Sequence, residues 1–267
     1  MHIHTRDFRP AGQKPGLGLG LDWGCSLARG LGALWLLNEG AGLIAIDLCG
    51  RMTATPIEDR MWFGGSGLKF SGSNYASFSH DPRVFRGDEV SVFASIIPTN
   101  LRANHSEGTI FSKGVNPYTV YFSMGGGKVA VYTDGPAGWL DGSLDIPVNK
   151  RSVVGFTKDS SGRKTWLNGV LDASDSSANA LNWSTLGGRI GYRQDDGSPN
   201  DQFTGVIEWV GFWNRGLNAA ETALLTADAY ALILPSLVHR SYNLPMTSAL
   251  FRRTMFDRAG ARGFMKD

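Results

Sequence analysis

The stretch Gly205-Val-Ile-Glu-Trp-Val-Gly-Phe-Trp-Asn-Arg-Gly-Leu-Asn-Ala-Ala-Glu-Thr-Ala-Leu-Leu decides how this chain folds. Its first part, extended back through Phe203 and Thr204, is a run of β-branched and aromatic residues that suits a buried strand. Asn214-Arg-Gly breaks that run. Asn218 then stands where a helix N-cap belongs, with Glu221 three residues later as in a capping box. Pro235 terminates the helical stretch. The reading is a core strand, a turn and one helix from Asn218 to about Leu234.

Upstream of that strand the chain yields more strands and no other good helix. Val90, Val92, Ala94 and Ile96 alternate with Ser91, Phe93, Ser95 and Ile97, a period-two segment buried on both faces. Tyr118 to Thr133, with Gly125-Gly-Gly inside, is a hairpin signal. Lys164-Thr-Trp-Leu-Asn-Gly-Val-Leu turns at Asn168-Gly169, a pair that tolerates the positive φ of a tight hairpin. Strands at a spacing of about 8–12 residues, in a chain with 35 glycines and 11 prolines, predict an all-β fold: a two-sheet antiparallel jelly-roll sandwich over residues 31–235. Trp35, Trp166, Trp209 and Trp213 fall on strands and read as core.

The ends differ from the body in charge. Lys and Arg outnumber Asp and Glu by 4 to 2 in residues 1–30 and by 6 to 2 in residues 236–267, whereas residues 31–235 hold 16 against 20. Residues 1–30, with Pro15-Gly-Leu-Gly-Leu-Gly-Leu, read as an extended arm, and residues 236–267 as a basic one. Anchors for docking such arms on a partner are Phe8, Arg9, Leu17 and Leu19 at one end, and Arg240, Phe251, Arg252, Arg253 and Phe256 at the other. A second short helix over residues 246–258 is compatible with the pattern there. The arginines are few for nucleic-acid binding, and aromatics interleaved with arginine suit a protein surface better. Cys25 and Cys49 are the only cysteines, too few for a disulfide framework. The N-terminus has no apolar secretory segment, and no run of 18 apolar residues predicts a membrane span.

Motifs for catalysis are missing. The sequence has no P-loop, Gly-x-Ser-x-Gly elbow or His-Glu-x-x-His, and His2-x-His4 reads as an exposed terminus. Binding chemistry is better represented. Asp195, Asp196, Asn200 and Asp201 share one loop and offer four oxygen side chains to a calcium ion, although the same residues are ordinary turn formers. Trp139 and Trp183 lie in expected loops. Each can stack on a sugar ring or plug the core.

The run from Gly205 to Leu225 also resembles the closing signature of laminin-G-like and concanavalin-A-like domains. Leu34-Trp-Leu-Leu-Asn-Glu-Gly with Asp47-Leu-Cys-Gly, Leu68-Lys-Phe-Ser-Gly-Ser-Asn-Tyr, and Lys164-Thr-Trp-Leu-Asn-Gly match in the same order, so the resemblance covers about Leu31 to Leu234. It implies a lectin-like sandwich in which Glu208 serves structural hydrogen bonding. Glucanases of this fold carry acids at alternate positions of one strand, and no such run occurs here, which implies a chain that is not an enzyme. Leu27-Ala-Arg-Gly-Leu with Trp35-Leu-Leu-Asn-Glu-Gly-Ala-Gly resembles the subset encoded by tailed bacteriophages. That resemblance implies a virion structural protein, a capsid decoration or tail-associated component made in the host cytoplasm. Its arms would dock on capsid or tail proteins, and the assembled form would be a homo-oligomer. The other function implied is a free carbohydrate-binding module for cell-surface glycans, with calcium as its one candidate cofactor.

Overall fold

The apolar run before Asn214 is a ten-residue strand, Thr204–Trp213, and the computed structural model pairs it with three other strands. The structure describes residues 14–16, 18–101, 108–114, 120–133, 138–193 and 202–233. In chain order the strands are β1 (Leu31–Trp35), β2 (Ala54–Pro56), β3 (Leu68–Ser71), β4 (Ala76–Phe78), β5 (Val90–Pro98), β6 (Thr109–Lys113), β7 (Val120–Ser123), β8 (Ala130–Thr133), β9 (Trp139–Asp141), β10 (Ser152–Asp159), β11 (Gly162–Leu167), β12 (Val170–Asp175), β13 (Gly188–Ile190) and β14 (Thr204–Trp213). Helix α1 (Ala219–Ala227) comes last.

These strands form two antiparallel seven-stranded sheets. The first runs β1-β14-β5-β10-β11-β12, with β3 also paired to β14; the second runs β2-β4-β13-β6-β7-β8-β9. The expected hairpin at Asn168-Gly169 is present, both residues having φ above zero, and it joins β11 to β12. Between the sheets lies one apolar layer that includes Trp35, Phe70, Phe111, Phe122, Phe156, Ile207 and Phe212. The two-sheet sandwich read from the sequence is the fold observed.

A second apolar layer covers the outer side of the first sheet. Leu34, Phe93, Trp166, Trp209 and Trp213 point away from the main core into it. They are covered by Leu21, Leu27 and Ala28 from the N-terminal segment, by Leu217 and Leu225, and by Tyr230, Leu232 and Ile233. Leu21 bridges to Ile233, and the Trp213 indole N–H donates to the Leu27 carbonyl at 2.7 Å. The described part of the expected arm therefore lies on its own domain. A free arm would leave three tryptophans of this sheet in water, at a cost of about 25 cal/mol per Å². Leu19, expected as a partner anchor, is half-buried against this same layer. Phe8, Arg9, Leu17, Arg240, Phe251, Arg252, Arg253 and Phe256 lie outside the described residues, as does the whole of residues 236–267.

The helix is shorter than its sequence predicts. The capping box is formed as read, but α1 ends at Ala227, seven residues before Leu234. Asp228 adopts an extended conformation and its carboxylate accepts from the Tyr230 N–H at 3.0 Å. That turn redirects the chain so that Tyr230, Leu232 and Ile233 enter the second layer. Burial outweighs helix propensity here.

Lysines close two openings of the body. Lys14 donates to the carbonyls of Leu37, Ser66 and Glu208 at 3.0, 2.9 and 2.6 Å, and burial lowers its pKa to about 7. Lys113 donates to the Ser184 carbonyl at 2.7 Å and to that of Leu186, and sits 4.7 Å over the Phe85 ring; burial lowers it to about 8. Cys25 and Cys49 are free thiols beside the second layer, and burial pushes the Cys49 thiol up.

One loop carries an acid-sensitive pair. Hydrogen bonds from the Arg83 guanidinium hold the Asp81 carboxyl down at about 2. Because the folded value lies below the unfolded one, the stability Asp81 lends is complete above about pH 4 and is lost as the pH falls toward 2. Thermal melts between pH 5 and pH 2 are expected to fall less steeply for Arg83→Met than for the parent chain. Equal slopes would show that the pair is not coupled to folding.

Candidate functional site

Among the described residues, no layer of the kind seen on the first sheet covers the outer side of the second. Its strand register aligns one residue from each strand in a row: Thr55, Ser77, Arg189, Ser112, Tyr121, Tyr132 and Trp139. The residues flanking them, Ala54, Ala76, Ile190, Phe111, Phe122, Val131 and Leu140, belong to the main core. Successive side chains point to opposite faces, so the row points outward. With strands about 4.8 Å apart, it runs on the order of 29 Å across the sheet.

Two half-exposed aromatic groups stand on this row. Beside Arg189, Tyr75 and Tyr192 stack with centroids 5.7 Å apart, and the Arg189 guanidinium lies 4.2 Å from the Tyr75 ring and 5.2 Å from the Tyr192 ring. At the β9 end Trp139 meets Tyr121 edge-on at 5.1 Å and Tyr132 at 5.7 Å. The middle is covered: Tyr121 and Ser112 are buried, and the Arg193 guanidinium sits 5.7 Å from the Tyr121 ring. The Ser112 hydroxyl donates to the Tyr192 carbonyl at 2.9 Å, and Arg189 donates to the Arg193 carbonyl at 3.1 Å. Tyr121 and Thr109 share a hydroxyl contact of 2.6 Å.

Two devices hold the geometry. Gly191, at φ +84, turns the chain after β13 so that Tyr192 and Arg193 lie over the sheet; a Cβ there would meet the Phe70 ring at 2.1 Å. Arg163, fully buried, pairs with Asp175 at 2.5 Å and donates to the Gly138 carbonyl at 2.8 Å. It thereby ties β11 and β12 of the first sheet to the residue that precedes Trp139.

Of the residues singled out from the sequence, Trp139 stands on this face. Trp183 does not. Its indole N–H donates to the Gly87 carbonyl at 2.7 Å and its ring packs on Phe85 and Phe212, so it plugs one end of the main core. Of the two readings the sequence allows for Trp183, sugar stacking or core plug, its surroundings match the second. Asp195, Asp196, Asn200 and Asp201, with the calcium site expected there, lie outside the described residues. Among the described residues, no three His, Cys, Asp or Glu side chains gather in a way that would hold a metal ion. Tyr75, Arg189, Tyr192, Arg193, Tyr121 and Tyr132 were not singled out from the sequence. The alternation of Tyr121 with Phe122 and of Tyr132 with Val131 was its only trace.

A laminin-G family model, described as the concanavalin A-like lectin/glucanases superfamily, matches residues 70–223, which is more than half of the chain. The chain belongs to that superfamily. No curated protein matches it in sequence. Solved structures similar to this superfamily member include a Trypanosoma rangeli sialidase in complex with 2,3-difluorosialic acid, at 16% identity and a TM-score of 0.58, covering 76% of this chain and 34% of the sialidase. Domain 4 of AbnA, an extracellular GH43 arabinanase from Geobacillus stearothermophilus, solved with arabinotriose, matches at 17% identity and a TM-score of 0.54, covering 73% of this chain and 98% of that domain. The receptor-binding domain of botulinum neurotoxin mosaic serotype C/D matches at 14% identity and a TM-score of 0.56, covering 74% of this chain and 50% of that one. The chain thus spans about a third of the sialidase. These likenesses are likenesses of fold, and the fold of this superfamily member is lectin-like. Among its described residues, no helix is long and apolar enough to cross a membrane.

Proposed function

We propose that this chain is a non-catalytic glycan-binding module whose ligand lies along the outer face of the second sheet. The observation that carries the reading is the outward row with half-exposed aromatics beside Arg189 and at its β9 end. Aromatic faces stack on the C–H faces of sugar rings, and Arg189, Arg193 and the tyrosine hydroxyls supply polar groups for sugar hydroxyls. Retaining glycoside hydrolysis needs two carboxyl groups roughly 5–5.5 Å apart. The seven row positions hold none, and Asp141, two residues along β9 from Trp139, stands in the neighbouring row.

The test is calorimetric titration of the full chain with neutral oligosaccharides chosen from a glycan array. Trp139→Ala and Tyr132→Ala are each expected to weaken binding about tenfold, close to 1.4 kcal/mol, without lowering the melting temperature by more than a few degrees. Binding by neither the array nor the titration, or unchanged affinity in both variants, would remove the reading.

A virion structural role, with capsid or tail proteins gripped by the terminal arms, is carried by the bacteriophage resemblance alone. The anchors proposed for it lie outside the described residues, apart from Leu19, which packs on its own domain.

A further inference from the structure

A cleft of about 480 Å³ opens at the end of the first sheet, where β1 begins, β14 ends and the chain enters β5. Trp23, Arg51, Arg86 and Asn214 line it, together with Gly30 and Gly87. It lies on the other sheet from the row that carries Trp139.

Three features of this cleft are unexplained by folding. Trp23 is 62% exposed although the segment on either side of it is anchored: Leu21 and Leu27 are buried, and the Asp22 N–H donates to the Leu232 carbonyl at 2.7 Å. An indole held in water at the tip of a pinned turn loses the burial free energy that tryptophans normally gain. Arg51 and Arg86 are exposed, and among the described residues no acceptor engages either guanidinium. Of the acids around them, Asp81 is held by Arg83, Asp47 by backbone N–H groups, and Asp22 and Asp88 each by one backbone N–H, from Gly24 and Leu181. The Asn214 side-chain oxygen is buried with no hydrogen-bond partner, and such an atom normally has one.

The walls are also set in advance. Arg215 donates to the carbonyls of Arg29 and Ser26 at 2.6 and 3.1 Å, and the Asn214 N–H donates to the Gly30 carbonyl at 2.8 Å. The Arg51 N–H is held by Asp47 at 3.0 Å, and the Gly87 carbonyl by Trp183. The backbone of the walls is therefore fixed, and the ordering left to a ligand is that of the Trp23, Arg51 and Arg86 side chains.

We propose that this cleft is a second ligand site, for an anionic saccharide residue. The sugar ring stacks on Trp23, and its carboxylate or sulfate is held by Arg51 and Arg86. A planar guanidinium matches either anion through two parallel hydrogen bonds. A neutral sugar would leave the pair of arginines unanswered, and a bare anion would leave Trp23 exposed. The site stands apart from the outer face of the second sheet and survives if that face binds nothing.

The test uses the full chain, calorimetry and tryptophan fluorescence, with four probes: a galacturonic acid trimer, a heparin tetrasaccharide, neutral maltotriose and sodium sulfate. One of the two acidic oligosaccharides is expected to bind, which also separates carboxylate from sulfate, and its affinity should fall as salt rises. Trp23→Ala, and Arg51→Gln with Arg86→Gln, are each expected to weaken it at least tenfold, while Trp139→Ala leaves it unchanged. The inference is overturned if neither acidic oligosaccharide binds, if maltotriose binds equally well, or if sodium sulfate competes at the oligosaccharide's own concentration. Loss of acidic binding in Trp139→Ala alone would move the ligand to the outer face, overturning this site while supporting the other.

Discussion

Asp47→Ala is expected to lower the melting temperature by roughly 10 °C. Asp47 is buried, and its carboxylate accepts four backbone N–H groups: Leu34 and Cys49 at 2.9 Å through one oxygen, Arg51 and Met52 at 3.0 Å through the other. Hydrogen bonds to a charged acceptor contribute about 1.5–3 kcal/mol each. They share one side chain and do not add, so we take about 4 kcal/mol for the set, which in a domain of this size corresponds to about 8–16 °C. Alanine also strands the buried N–H groups of Leu34 and Met52. Asp47→Asn is expected to recover less than half of the loss, because its NH₂ group would face two N–H donors in place of an acceptor. Thermal melts of the three chains decide the matter. A fall of under about 2 °C for alanine would mean that this carboxylate does not organise the loop after β1.

The second large effect is expected at Glu208. A register shift between Ile207 and Trp209 leaves this residue as an extra one in β14, and such bulges re-aim side chains. Its carboxylate takes the Arg151 guanidinium at 2.6 and 2.7 Å and the Ser95 hydroxyl at 2.6 Å, and it is the leading counter-charge to Lys14. Glu208→Ala leaves two cations facing an unoccupied space. Breaking a buried pair from one side costs about 3–5 kcal/mol. The Arg151 side chain is 60% exposed and can turn to water, so the lower end, about 3 kcal/mol, is expected. Lys14 loses the charge that opposes its desolvation, and hydrogen exchange of the Lys14 and Gly16 amides should accelerate with the fall in stability. A melting temperature and exchange rates both unchanged would show that the Glu208 cluster does not hold residues 14–16 on the body.

These two residues differ in how visible they are in the sequence. Glu208 was conspicuous as the lone acid of an apolar strand, and its role in structural hydrogen bonding follows from that position together with the family resemblance. Asp47 was noticed only as part of a matching segment, since nothing local says that four N–H groups converge on it. Trp139 and Trp183 illustrate the same limit at the candidate site. Both are tryptophans among small and polar residues, yet one stands on an outward row and the other seals the core. The difference is made by Phe85, Phe212 and Gly87, which lie far from Trp183 along the chain.

What the sequence by itself determined is local: the period-two strands, the positive-φ turn at Asn168-Gly169, the Asn218 cap and the order of motifs that marks the superfamily. Each of these depends on neighbours a few residues away, whose backbone preferences act without help. Only the tertiary structure decided which outer face the N-terminal segment covers. Alternation says that Phe93 and Ala94, or Tyr121 and Phe122, point opposite ways, but not which direction meets protein. That choice was made by segments distant along the chain, Leu21 and Leu27 joining Leu232 and Ile233 over the first sheet. Burying three tryptophans there repaid the entropy of laying the N-terminal segment down, and among the described residues no comparable layer lies over Tyr132 and Trp139.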